Sequence, residues 1–168
     1  FRDMGTHDFD MARWLLGEEP VEVYAAAAAL IDPAIGEAGD VDTAKTLLRT
    51  ASGKMCVISN SRRSGYGYDQ RIEVYCTNGV LRADNVRGST VSPWTEAGPA
   101  ADSLQNFFLD RYADAYRAEM AHFAAILDGS ASPAVGYADG IAALALAEAA
   151  AASHQSKRPV RVGAVLDR

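Results

Sequence analysis

The sequence predicts an α+β domain built on a mainly antiparallel, open sheet with helices packed on one face. Three observations carry that prediction. Between Val21 and Ala83, apolar and polar residues alternate in short runs broken by glycine, proline and asparagine, which is the period of strands with one covered face. From about Ser103 the period lengthens. Leu104, Phe107, Phe108, Tyr112, Tyr116, Met120, Phe123 and Leu127 recur at helical spacing, and a second, alanine-rich helical stretch follows. Strands grouped ahead of a pair of long helices put those helices on one side of an antiparallel sheet.

The chain opens on a short amphipathic helix, which reads from Thr6 as N-cap to Gly17 as the C-terminal stop. Asp8 and Asp10 fall in its first turn, where the positive end of the helix dipole favours carboxylates. Met11, Trp14 and Leu15 share a face at helical spacing and are expected to be its core side. After a Glu18-Glu19-Pro20 turn, Val21–Tyr24 alternates as a strand, and Ala25–Leu30 is read as its continuation because Asp32-Pro33 ends it. Residues 33–40, with two glycines, read as a loop.

Val41–Thr50 and Lys54–Asn60 form a hairpin about Ser52-Gly53, with Met55, Val57 and Ser59 on one face and Cys56, Ile58 and Asn60 on the other. Residues 61–69 are a glycine- and tyrosine-rich connection. Arg71–Thr77 and Val80–Ala83 form a second hairpin, for which Asn78-Gly79 offers the positive φ angles of a tight turn. Residues 84–102 read as loop with a short strand near Thr90-Val91. The final helix spans Ala138–Ser156, with His154, Lys157 and Arg158 at its negative end, and Val160–Val162 makes a last short strand.

Composition narrows the function. Sixteen basic against 22 acidic residues, a net charge of −6, argue against nucleic acid or an anionic membrane as partner, since both need clustered positive charge. No apolar run approaches the roughly 20 residues that cross a bilayer, so a cytoplasmic protein is expected. Cys56 and Cys76 are expected as reduced, buried thiols. Three histidines without a close Cys/His grouping give no metal site. No G-x-G-x-x-G follows a strand, and Gly65-Tyr66-Gly67 lacks the third glycine and the helix that a pyrophosphate needs.

Chemistry concentrates at the start. Asp3, His7, Asp8 and Asp10 lie within eight residues; Asp3 precedes the helix and can fold back towards His7, while His7 and Asp10 share a face. An imidazole titrates near neutral pH, and a neighbouring carboxylate fixes its tautomer and stabilises its charged form, as a general base requires. The same spacing also fits a solvated helix end. Tyr68 and Tyr116 are open in the same way, since each is compatible with core packing, as are Trp14, Phe107 and Phe108.

The opening segment resembles the D-x-x-x-H-[DE]-x-D motif of the glucose-fructose oxidoreductase, inositol dehydrogenase and rhizopine-catabolism protein family (Gfo/Idh/MocA), matched by Asp3, His7, Asp8 and Asp10. Further on, Tyr66-Gly67-Tyr68-Asp69 with Arg71–Val74 and Asn78-Gly79, Ala115–Met120 with Phe123, Asp139-Gly140, and Arg158–Val162 are similar to inositol 2-dehydrogenases in the same order. The resemblance implies that residues 1–168 are the C-terminal, substrate-binding and oligomerisation domain of a two-domain NAD-dependent dehydrogenase. The N-terminal Rossmann domain, with its catalytic lysine, would lie outside this chain, which starts within a motif and reads as a piece of a longer protein.

By the same resemblance His7 would be the base that takes the alcohol proton, and Asp3 would hydrogen-bond substrate and orient His7. Asp10, Tyr68 and Tyr116 would contact polyol hydroxyls, and NAD would be bound mainly by the absent half. The segment Met4-Gly5-Thr6 departs from bulkier relatives, which leaves the exact polyol open. The fragment alone is expected to be inactive. The sheet face left uncovered is expected to join subunits into a homodimer or homotetramer. Two alternatives are a non-catalytic sheet module for subunit association and a family member acting on another sugar.

Overall fold

The computed structural model describes residues 1–163. In chain order the elements are α1 (Gly5–Leu16), β1 (Pro20–Ala28), α2 (Pro33–Glu37), β2 (Thr43–Thr50), β3 (Met55–Ser61), β4 (Ile72–Cys76), β5 (Gly79–Ala83), β6 (Trp94–Thr95) and β7 (Gly98–Pro99). They continue with α3 (Phe108–Arg111), α4 (Ala113–Leu127), α5 (Tyr137–Ser156) and β8 (Val160–Arg161). The described residues divide into two compact units, one of residues 1–63 with 135–163 and one of residues 64–134.

The first unit is the half-covered sheet that the sequence predicts. Its strands run in the order β3-β2-β1-β8, with every neighbouring pair antiparallel. Alternation sorts the side chains: Val23, Ala25, Ala44, Thr46, Leu48, Thr50 and Ile58 point inward and are buried. The helices α1 and α5 cover that face. The buried side of α5 is almost entirely alanine, with Leu146 and Ser153, so the helix can lie close on β1. The closeness is visible at Ser153. Pairing with β8 reaches only Glu22 and Val23, and the Ala25 amide further along that edge donates to Ser153 Oγ at 2.9 Å. The same hydroxyl donates to the Arg158 carbonyl at 2.7 Å, which returns the chain towards β8.

The face that α1 buries differs from the sequence reading. Gly5, Phe9 and Ala12 are buried, whereas Met11 and Trp14 are exposed. Against a surface of alanines, the helix docks by its smallest side plus one ring. Gly5 lies against that ring, where a Cβ would stand at ordinary contact distance, 3.4 Å, from Phe9 Cε2. The N-cap is Met4, already in a right-handed conformation and with no side-chain cap, so Thr6 lies inside the helix. Gly17 ends it at φ 60° as expected, its amide bonded to the Arg13 carbonyl. Residues 33–37, read as loop, form the short helix α2. Asp32 caps it through the Ala34 amide, and Pro33 lacks an amide where a helix leaves amides unpaired.

The second unit holds two hairpins and the α3–α4 segment. Pairing of Cys76 with Gly79 makes Thr77 and Asn78 the loop of the β4–β5 hairpin, one residue earlier than Asn-Gly, with Gly79 at φ 151°. The later hairpin falls at β6–β7, not at Thr90-Val91. Helix also starts later than its periodicity suggests. Leu104 pairs with Arg87, and amides of Gly88 and Gln105 bond across to Ser103 and Val86 carbonyls. The helical stretch then divides at Tyr112, at φ −106° and ψ 13°, whose hydroxyl is bonded to Gln70 Oε1 and whose ring meets Tyr68 edge to face.

Two further expectations are corrected. Both cysteines are free, but Cys76 is exposed and only Cys56 is half-buried. Trp14, Phe107 and Phe108, read as core, are all exposed. His154 is half-buried beside the Phe1 ring; burial, then the Lys157 charge, push its pKa down, so it is a weak cation at the helix end. Among the described residues, no helix is long and apolar enough to cross a membrane.

Candidate active site

Phe9, fully buried, fixes the rotation of α1 and thereby turns His7 outward. Both ends of the helix are tied down. Arg2 makes a two-toothed contact with Glu148 of α5, its Nη2 donating to Oε2 at 2.8 Å. Arg13 Nη1 donates to Asp10 Oδ1 at 2.7 Å, Arg13 Nε and Nη2 donate to Glu19, and Nη2 reaches Asp139 Oδ1 of α5 at 3.3 Å. These carboxylates, Glu19 first, hold the Arg13 guanidinium more firmly charged than usual.

Of the five residues singled out by resemblance, Asp3, His7 and Asp10 lie in the first unit. Asp3, in the turn that leads into α1, and His7, one helical turn on, are both exposed at one end of an anchored helix. Asp10 is half-buried, and Arg13 occupies one of its oxygens, leaving the other as an acceptor.

Tyr68 and Tyr116 belong to the second unit. Tyr68 lies in the loop before β4, half-buried, with its amide donating to the Gln105 carbonyl at 2.8 Å and its ring against Tyr112. Asp69 fastens this loop: it accepts from Arg71 Nε and Nη2 at 2.7 and 2.8 Å, from Asn85 Nδ2 at 2.8 Å, and from the Tyr66 hydroxyl. Those bonds, Arg71 first, hold its carboxyl well below the usual range. Tyr116 is on α4, partly exposed, with its phenol available.

Gly65-Tyr66-Gly67 does not fit a pyrophosphate. Gly67, at φ 126°, is glycine because a Cβ would stand 2.6 Å from Leu104 Cβ, so its open face is filled by packing. A polar cleft of about 500 Å³ nearby is lined by Tyr66, Arg71 and Arg87, but Arg71 is held by Asp69 and Arg87 by the Asp102 carbonyl. Among the described residues, no group of three or more His, Cys, Asp or Glu could hold a metal ion.

Sequence reasoning placed Asp8 in the first turn and in the family motif but gave it no partner; it is half-buried between α1 and β3. Asn60 Nδ2 donates to its Oδ2 at 2.7 Å. Burial raises the Asp8 carboxyl pKa, and the Asn60 bond and the His7 charge offset part of the rise. The signal was there in the pattern: Asn60 is a polar residue on the inward side of β3, and such a group needs a partner.

The first unit thus presents an imidazole and a carboxylate to solvent at the end of an anchored helix, on a half-covered antiparallel sheet. Residues 1–82 match the GFO/IDH/MocA C-terminal domain model, and the chain belongs to that family. It is 52% identical to an inositol 2-dehydrogenase from Rhizobium meliloti, over 96% of this chain and 49% of that protein. A probable dehydrogenase from Thermotoga maritima has the same fold at a TM-score of 0.93, with 48% identity over 97% of this chain and 49% of its own. A scyllo-inositol dehydrogenase from Lactobacillus casei, solved with NAD(H) and scyllo-inositol bound, superposes at a TM-score of 0.86 with 26% identity, covering 96% of this chain and 47% of that one. This chain spans about half the length of the curated relatives it matches.

Proposed function

We propose that residues 1–168 are the C-terminal, substrate-binding and catalytic domain of an NAD-dependent inositol 2-dehydrogenase, oxidising one ring hydroxyl of a polyol to a ketone. The observation that carries this reading is the pair Asp3 and His7, exposed at the end of a helix that Arg2, Arg13 and the buried Phe9 ring hold in place. The likeness to dehydrogenases named for inositol supports the substrate class.

In this reading His7 accepts the hydroxyl proton on a ring nitrogen as the C–O bond becomes a carbonyl. Asp3 orients the imidazole and accepts a hydrogen bond from substrate. Asp10, Tyr68 and Tyr116 supply further acceptors and donors for the remaining hydroxyls, which a small, highly hydroxylated ring needs in number. The nicotinamide, held by the N-terminal half of the full-length protein, supplies the hydride acceptor when bound. In this reading the activity needs both halves, so the 168 residues alone do not reduce NAD.

The sheet favours a further assignment that is compatible with the first. Tyr24, Leu47 and Val57 stand in register across three strands on the uncovered face, with Met55 exposed beside them. Two such faces, back to back, would join subunits of a homodimer or homotetramer. The test of substrate class is NAD reduction by the full-length protein with myo-inositol, scyllo-inositol and a simple secondary alcohol at equal concentration. Turnover of an inositol well above the simple alcohol is expected, and turnover of neither inositol overturns the assignment.

A further inference from the structure

The carboxylates around α1 are compensated very unequally. Asp42, which is buried, receives three amides and a hydroxyl, Asp10 receives Arg13, and Glu148 receives Arg2. Asp8 is half-buried between α1 and β3, yet its hydrogen-bond donor is one neutral group, Asn60 Nδ2 at 2.7 Å. Among the described residues no lysine or arginine is paired with it. A carboxylate drawn out of water is costly unless its charge is met. One carboxamide and the positive end of α1 meet it only in part. The cation whose charge bears on Asp8 is His7, the residue before it in the same turn.

We propose that Asp8, held by Asn60, is a positioning residue for His7: its carboxylate is the fixed countercharge for the proton that His7 takes from the alcohol. The proposal rests on the reading of His7 as the base. When the imidazole accepts that proton it gains a positive charge, and a negative charge already in place beside it stabilises the product of the transfer without having to reorganise. Asn60 belongs to the device because it can only donate through Nδ2, and a donor to the ionised form keeps a half-buried carboxyl charged. The other groups on the elements that pack against α1 supply no rival charge. From α5, Glu148 is paired with Arg2 and Asp139 with Arg13. From β3, burial and then the Asp8 charge push the Cys56 thiol pKa up, which keeps the thiol neutral. Asp3 lies in the exposed lead-in, so Asp3 and Asp8 flank His7 from solvent and from the protein respectively.

The test uses the full-length protein and compares the parent with Asp8→Asn, which keeps the shape and removes the charge, and Asp8→Glu, which keeps the charge. The first readout is the acid limb of kcat/KM for myo-inositol against pH. The second is the titration of the His7 ring by NMR in histidine-labelled protein, its signal assigned by His7→Gln, and it needs no turnover. In Asp8→Asn both should move to lower pH by about half a unit, the size of one unit charge acting across a few ångströms of well-solvated space. Asp8→Glu should return both towards the parent. Curves for Asp8→Asn that coincide with the parent overturn the proposal, as does an Asp8→Glu that shifts as far as Asp8→Asn, since shape and not charge would then matter. Should Asp8→Asn fail to fold, Asp8→Ser removes the same charge with a smaller side chain and is held to the same outcomes. His7→Ala separates the two ideas. If it is inactive while the Asp8→Asn curves are unmoved, the base stands and Asp8 falls; if it turns over at the parent rate, the base falls and the catalytic role of Asp8 falls with it, even where the NMR shift is seen.

Discussion

At the scale of single residues, Asp42 shows how one carboxylate can organise a turn. It is buried, and it accepts from the amides of Leu30 (2.9 Å), Ile31 (2.8 Å) and Asp32 (3.0 Å) and from the Thr43 hydroxyl (2.9 Å). Burial alone would raise its pKa, but the four donors outweigh burial and bring it down to about 2. A carboxyl depressed in the folded state stabilises fully above its unfolded value near 3.8, and the contribution fades as pH falls through about 2. The difference in urea midpoint between the parent and Asp42→Asn should therefore shrink as pH is lowered from about 4 to about 2. A difference that stays constant over that window contradicts the account.

Gly67 is a second single-residue case. Gly67→Ala adds a Cβ where Leu104 already sits and a side chain at φ 126°. Strain of this kind costs on the order of 1–3 kcal/mol before the clash is counted, so the variant should lower the denaturation midpoint and loosen the Tyr68 loop, as read by faster amide exchange at Tyr68.

At the scale of elements, boundaries were more legible in the sequence than faces. The Gly17 stop, the strands β1 to β3 and the limits of α5 follow from local chemistry, and the structure has them where residue patterns put them. The buried side of α1 was misread because large apolar residues were taken to define the core. The partner helix is lined with alanine, and the tightest fit uses Gly5, Phe9 and Ala12. Leu104 fits a helical period, yet pairs with Arg87, because the space beside Gly67 and the amides across from it reward an extended chain. Neither competition is written in local spacing.

The contact between α5 and β1 carries its own test. Ser153→Ala would leave the Ala25 amide buried without an acceptor, at a cost of about 1–3 kcal/mol. Chemical denaturation of the two proteins measures it, and an unchanged midpoint would mean that the hydroxyl does not hold the helix to the sheet edge.

At the scale of the whole molecule, the candidate site was legible as a cluster in sequence but not as an arrangement. Asp3, His7 and Asp10 announced themselves within eight residues, while the Arg13 bridge that engages Asp10 spans from α1 to Asp139, 126 positions away. The uncovered sheet face belongs to this scale too. Leu47 lies between Tyr24 and Val57, so Leu47→Glu would place a charge at the centre of that row. The full-length protein should sediment as an oligomer, with the variant shifted to smaller species. Identical sedimentation would remove the sheet from the interface.

Most directly, the account depends on His7 as the proton acceptor. In the full-length protein, NAD reduction with inositol should fall by at least about 100-fold in His7→Ala, the loss expected when a positioned general base is removed, with the fold intact by circular dichroism. A His7→Ala enzyme that turns over at the parent rate would contradict it.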